Sequence, residues 1–260
     1  VDIQLSTTAT SVKLSAYNKV ESVAIEKDGI SSSIACQSLV LAAGPWTPLM
    51  YQRLFPSSAI TLKATLNAGD WILFRNPFPA TEKTIAFIAL DAIVGEKLEF
   101  VGRDDGTIWL IGRKDYNASL PSLGQFAEPN EEIIKELIGR AEQSLKKLGE
   151  LEIVGKGRAI RPATDSVIPI ISKVEAKDIS DNRCISEEAG RELSGAFVSW
   201  GHGAYGLTLG MGTGKLMSQL VIGKKPDIDM SIFDISRDHS VAASPGPEQK
   251  RLGDEKLNVQ

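Results

Sequence analysis

The stretch Phe197–Lys215, "FVSWGHGAYGLTLGMGTGK", places a G-x-G-x-x-G in Gly201, Gly203 and Gly206 directly behind an apolar run. A strand, a glycine turn and a helix in that order let the backbone approach a ligand. The helix start adds free N–H groups and a partial positive charge, which suit an anionic or electron-rich group. A dinucleotide-binding unit opening here would need a second strand ending in an acid about 20 residues on. Asp227 and Asp229 fall near that distance, yet they follow "GKKP" instead of an apolar strand, and little sequence remains for further strands. A phosphate loop ending at Gly214-Lys215 fails too, since it needs glycine where Leu209 stands and Ser or Thr where Leu216 stands. Taken alone, the turn is either a cradle for a ligand or a tight strand-to-helix connection packed on protein.

Upstream of it, "GRAIRPATDSVIPIIS" (Gly157–Ser172) reads as strand broken by turns. Before that, "EPNEEIIKELIGRAEQSLKKLGE" is the clearest helix, with Ile134, Leu137, Ile138, Ala141, Leu145 and Leu148 recurring at three and four. Asn130 caps its start, acids fill its first turn, and Lys146, Lys147 and Gly149 close it. From Ile60 to Asp115 the pattern is strand-like: "ITLKATLNAGDWILF", "KTIAFIAL", "KLEFVGR" and "TIWLIGR", the last two joined by a hairpin signal at Asp105-Gly106. The first 44 residues alternate apolar and polar positions, broken at "YNK" and "KDG", as an antiparallel meander does. The meander leads to Leu39–Ala43, a continuous apolar run expected to be a strand buried on both faces, then to Gly44-Pro45 and a helix start.

The chain has 260 residues, 42% of them hydrophobic, enough for one large or two intimately joined domains. Its 29 Lys and Arg against 33 Asp and Glu are scattered, so a nucleic-acid partner or an anionic membrane surface is not expected. Cys36 and Cys184, far apart and without neighbouring His, support neither a disulfide framework nor a metal site. No apolar run reaches the roughly 18 residues of a membrane span, so no membrane partner is expected and a cytoplasmic setting is the default. "NAS" at Asn117 matches a glycosylation acceptor by chance composition. Val1 falls inside a strand-like pattern, which leads us to expect sequence upstream, and the polar segment 237–260 is expected to be a disordered tail.

Three separated stretches together resemble the D-amino-acid oxidase type of FAD-dependent oxidoreductase, the group that includes glycine and sarcosine oxidising enzymes. They are "SLVLAAGPWTPLM" (Ser38–Met50), "GRAIRPATDSVIPIIS", and "AFVSWGHGAYGLTLGMGTGKLMSQLVIGKKP" (Ala196–Pro226). The resemblance implies an α/β fold with an α+β insert. A three-layer FAD-binding domain would be formed by residues 1–57 and 156–236, with an antiparallel-sheet substrate domain inserted at 58–155. It implies FAD as cofactor and a small-molecule amine or amino acid as substrate, oxidised by hydride transfer to flavin.

Carried over residue by residue, "LAAGPW" passes near the FAD pyrophosphate and ribityl region with Ala42, Ala43, Gly44 and Trp46. Ala9 falls in the stretch whose backbone meets adenine, where the family usually has Val. His202, Gly203, Ala204, Tyr205, Gly206, Leu207 and Thr208 line the turn at the flavin ring's pyrimidine edge. "IRP" is similar to the family's Leu-Arg-Pro, which makes Arg161 the residue for a substrate carboxylate. A planar guanidinium suits that task, since it holds a carboxylate in a bidentate pair. Arg158 is the better candidate for a structural salt bridge. Ala159 stands near where some relatives attach flavin to Cys, so covalent linkage there is excluded. The family's opening strand and its own G-x-G-x-x-G are absent, so the chain looks like the C-terminal part of a longer protein. Two functions follow: an oxidoreductase, or a truncated relative that has kept the fold as a binding or scaffold protein. No acid-base residue is assigned.

Overall fold

In the computed structural model, residues 1–76, 84–91, 96–145, 151–180 and 195–237 are described. Cys184, the closing residues Lys146, Lys147 and Gly149, and all of the expected tail but Arg237 lie outside them.

The alternation at the front of the chain folds as expected into an antiparallel meander of β1 (Thr7–Leu14), β2 (Val20–Lys27) and β3 (Ile30–Ala35). Its inward residues Val12, Leu14 and Val20 meet Met50, Tyr51 and Leu54 of α1 (Thr47–Leu54), in a core shared with a second sheet. That sheet has the order β10 (Ile170–Val174), β11 (Gly195–Trp200), β4 (Ser38–Leu41), with β11 parallel to β4 and antiparallel to β10. The apolar run at 39–43 is not buried on both faces, since Val40 is 40% exposed and the regular strand ends at Leu41. Among the described residues β4 has a neighbour on one side only, and an edge strand leaves part of its apolar surface uncovered.

The third sheet is antiparallel throughout, in the order β6 (Ile85–Asp91), β7 (Glu96–Gly102), β8 (Thr107–Asp115), β5 (Thr65–Arg75), β9 (Ile153–Ala163). β9 stays in this sheet to Ala163, past the expected segment limit at 155, so Arg158 and Arg161 are sheet residues. Helix α2 (Glu131–Ser144) forms where its periodicity places it, and its N-cap Asn130 accepts from the N–H groups of Glu132 and Ile133. Ile133, Ile134, Leu137 and Ala141 bury one face of the sheet, covering Ile72, Phe74, Leu98 and Leu110. Burial of each such Ile, Leu or Phe side chain contributes about 1.5–3 kcal/mol. The short α3 (Ala176–Ile179) follows β10, and α4 (Gly206–Val221) packs Met217 on Ile171 and Phe197. None of these helices is long and apolar enough to cross a membrane.

Candidate functional site

Because α2 covers one face of the five-stranded sheet, the opposite face is left for chemistry. Residues directly opposite in an antiparallel pair share a face, and neighbours along a strand alternate. The register of β5 and β9 pairs Thr65 with Ala163, Asn67 with Arg161, Gly69 with Ala159 and Trp71 with Gly157. These residues therefore stand on the face away from α2, while Asp70, Ile72 and Arg158 stand on the other.

The two arginines of β9 consequently differ. Arg158 is 9% exposed and pairs with Asp70 at 2.7 Å and with Asp115, a structural ion pair as the sequence suggested. Arg161 is half-buried, and among the described residues its guanidinium holds no ion pair or hydrogen bond. Burial pushes its pKa down, while the charge of Glu99 on β7 pushes it up. Its head lies over Gly69, where an added Cβ would stand 2.7 Å from Nη2. Trp71 lies in the same manner over Gly157, where a Cβ would stand 2.6 Å from its Cε2. Two glycines thus let a cation and an indole lie flat on neighbouring strands.

The end of β9 receives both of the other stretches. The single-turn 3-10 segments Gly44–Trp46 and Gly203–Tyr205 each contact it, and Ala163 bridges to His202. A Cβ on Gly203 would stand 3.9 Å from that of Ala163, which shares the face of Arg161. Gly201 is buried with φ +85°, and a Cβ there would stand 2.6 Å from Thr164 Cγ2, so the turn requires glycine on two counts. His202 Nε2 lies 2.9 Å from Thr213 Oγ1, about two turns into α4, and burial pushes its pKa down.

Beyond His202 the turn opens outward. Ala204, Tyr205, Gly206, Leu207 and Thr208 are exposed, and no side chain caps α4. Leu207 is 99% exposed and Met211 88%, while added Cβ atoms at Gly210 and Gly214 would meet nothing within 4 Å. A similar opening lies at Gly44, which has φ +55° and open space where a side chain would be. Ala42 is exposed and Ala43 half-buried beside it. Trp46 is committed to the protein, donating from Nε1 to the Pro121 carbonyl at 2.9 Å. Ala9 stands on β1, which packs on β2 and α1. An uncapped helix start, bare of acids and flanked by apolar surface, fits a flat aromatic ring with an electron-rich edge.

Asn67, Gly69 and Glu99 join Arg161 on this face without having been singled out from the sequence. The one signal was Gly69 within a strand pattern, which marks a close approach. Two surface hollows of about 320 and 540 Å³ lie near the start of α2, and the lining of neither includes Arg161 or the Gly201–Thr208 turn.

The family model described as FAD dependent oxidoreductase matches residues 1–220. The chain belongs to this FAD-dependent oxidoreductase family. Solved structures share its fold. Glycine oxidase from Geobacillus kaustophilus is 20% identical at a TM-score of 0.60, covering 89% of this chain and 52% of its own. L-amino acid deaminase from Proteus myxofaciens, in complex with anthranilate, is 16% identical at a TM-score of 0.64, covering 89% and 55%. L-proline dehydrogenase from P. horikoshii is 13% identical at 0.64, covering 90% and 54%. The chain spans about half the length of these proteins.

Proposed function

We propose that the chain serves an FAD-dependent oxidoreductase acting on an amino acid or related amine. The observation that carries this is Arg161, a half-buried cation with no ion pair or hydrogen bond among the described residues, on the strand whose end meets the turn before the uncapped start of α4. The backbone N–H groups at Gly206, Leu207 and Thr208 would face the pyrimidine edge of the flavin ring. Ala42, Ala43 and Gly44 would leave room for the chain of the cofactor, with Ala9 at the adenine and His202 and Trp46 holding the turns in place. Bound there, flavin supplies a two-electron acceptor for hydride. Arg161 takes the substrate carboxylate in a bidentate pair, which fixes the position of the carbon next to nitrogen.

The test is anaerobic flavin reduction by a panel of amino acids, using full-length protein purified with its flavin. Arg161→Leu is expected to raise KM about a hundredfold or more while leaving flavin content unchanged. Protein that carries no flavin, or is reduced equally well without Arg161, would defeat the proposal. A second reading, a scaffold without catalysis, draws on the exposed apolar Leu207 and Met211, a surface suited to a protein cover. It predicts no reduction by any amine.

A further inference from the structure

Asn67 lies opposite Arg161 in an unbroken part of the β5–β9 register, so the two side chains rise from one face as cross-strand neighbours. The side-chain carbonyl oxygen of Asn67 is buried, and among the described residues it has no hydrogen-bond partner. An acceptor in that position costs the fold the full price of its desolvation unless a donor arrives. Arg161 beside it is the converse case, a half-buried donor without an acceptor. Its guanidinium is turned toward Gly69, so it does not satisfy Asn67.

We infer that Asn67 is a substrate-binding residue whose Oδ1 accepts a hydrogen bond from the substrate's amino group, while Arg161 holds its carboxylate. The inference rests on the amino-acid reading of the same site. It narrows that reading to a ligand presenting both groups, since one buried carbonyl and one guanidinium side by side suit an amino group close to a carboxylate. An amine without a carboxylate, or a carboxylate without an amine, leaves one of the two groups unmet. A site built to meet a polar group discriminates strongly against an analogue lacking it. Glu99 is the competing candidate for the amino group, because it is the acid whose charge Arg161 senses.

The experiment is calorimetric titration of the full-length, flavin-containing protein with anthranilate, which carries an amino group beside its carboxylate, and with benzoate, which lacks it. Wild type is expected to prefer anthranilate by about tenfold. In Asn67→Leu that preference disappears, with benzoate affinity kept within about twofold. Asn67→Gln, which retains a neutral carbonyl acceptor, keeps the preference and so controls for misfolding in the leucine variant. Glu99→Gln is expected to leave it unchanged. Preference surviving in Asn67→Leu, or vanishing in Glu99→Gln alone, overturns the role of Asn67 while the Arg161 reading stands. If neither ligand binds, or both bind equally to Arg161→Leu, the amino-acid reading itself falls, and this inference with it.

Discussion

Arg161 on β9 rests its guanidinium over the bare Cα of Gly69 on β5, diagonal to it across the strand pair. The charge is thereby held near the sheet surface by the lack of a side chain. In Gly69→Ala a methyl group takes that space, and the guanidinium, being the far end of a flexible chain, moves instead of the backbone. We expect kcat/KM for an amino-acid substrate to fall about tenfold or more, chiefly through KM, with flavin content and melting temperature little changed. Steady-state kinetics of the flavin-containing variant decide it, and an unaltered KM would show that the seat is unimportant.

On the other face, Asp70 accepts from Arg158 at 2.7 Å and from the Asn130 N–H at 2.8 Å. One fully buried carboxylate thus joins β5, β9 and the cap of α2. The two acids on Arg158 shift in opposite senses. Burial raises the pKa of Asp70 above its ordinary value, whereas the Arg158 hydrogen bond lowers that of the more exposed Asp115. Removing the deeper partner leaves Arg158 with Asp115 alone and the Asn130 N–H unmet, so Asp70→Ala should cost about 3–5 kcal/mol. Asp115→Ala should cost less, roughly 1–3 kcal/mol. Urea unfolding of both variants tests the order, and a larger loss for Asp115→Ala would refute it.

His202 gives the turn a pH response. Burial lowers its pKa in the folded protein, so over the window just below its ordinary value of about 6.5 the unfolded chain binds more protons. Stability therefore falls as pH drops through that window and is recovered as pH rises above it. Thermal unfolding at pH 7.5 and 5.5 should show a drop in wild type that is smaller in His202→Gln, which can still bond Thr213 Oγ1. Identical pH profiles for the two proteins would exclude His202 as the source.

Much of this was legible in the residues. Alternation announced the meander, three-four spacing announced α2, and Asn130 marked its start, because each depends on neighbours a few residues apart. The exposure of Val40 was not legible, since an apolar run does not reveal whether both sides of its strand are occupied.

The order of strand, glycine turn and helix at Gly195–Val221 was fixed by local sequence, and the resemblance of "IRP" to a family motif singled out Arg161. Gly201 illustrates why: a backbone at φ +85° is a local demand that the chain answers with a local choice of residue. The company Arg161 keeps was decided only by tertiary structure. Asn67 and Gly69 come to it through strand register, and residues this far apart in the chain leave no periodic trace of their meeting. A one-residue slip of β9 would have turned Arg158 to this face and buried Arg161 beside Asp70, with the same composition and the same strands.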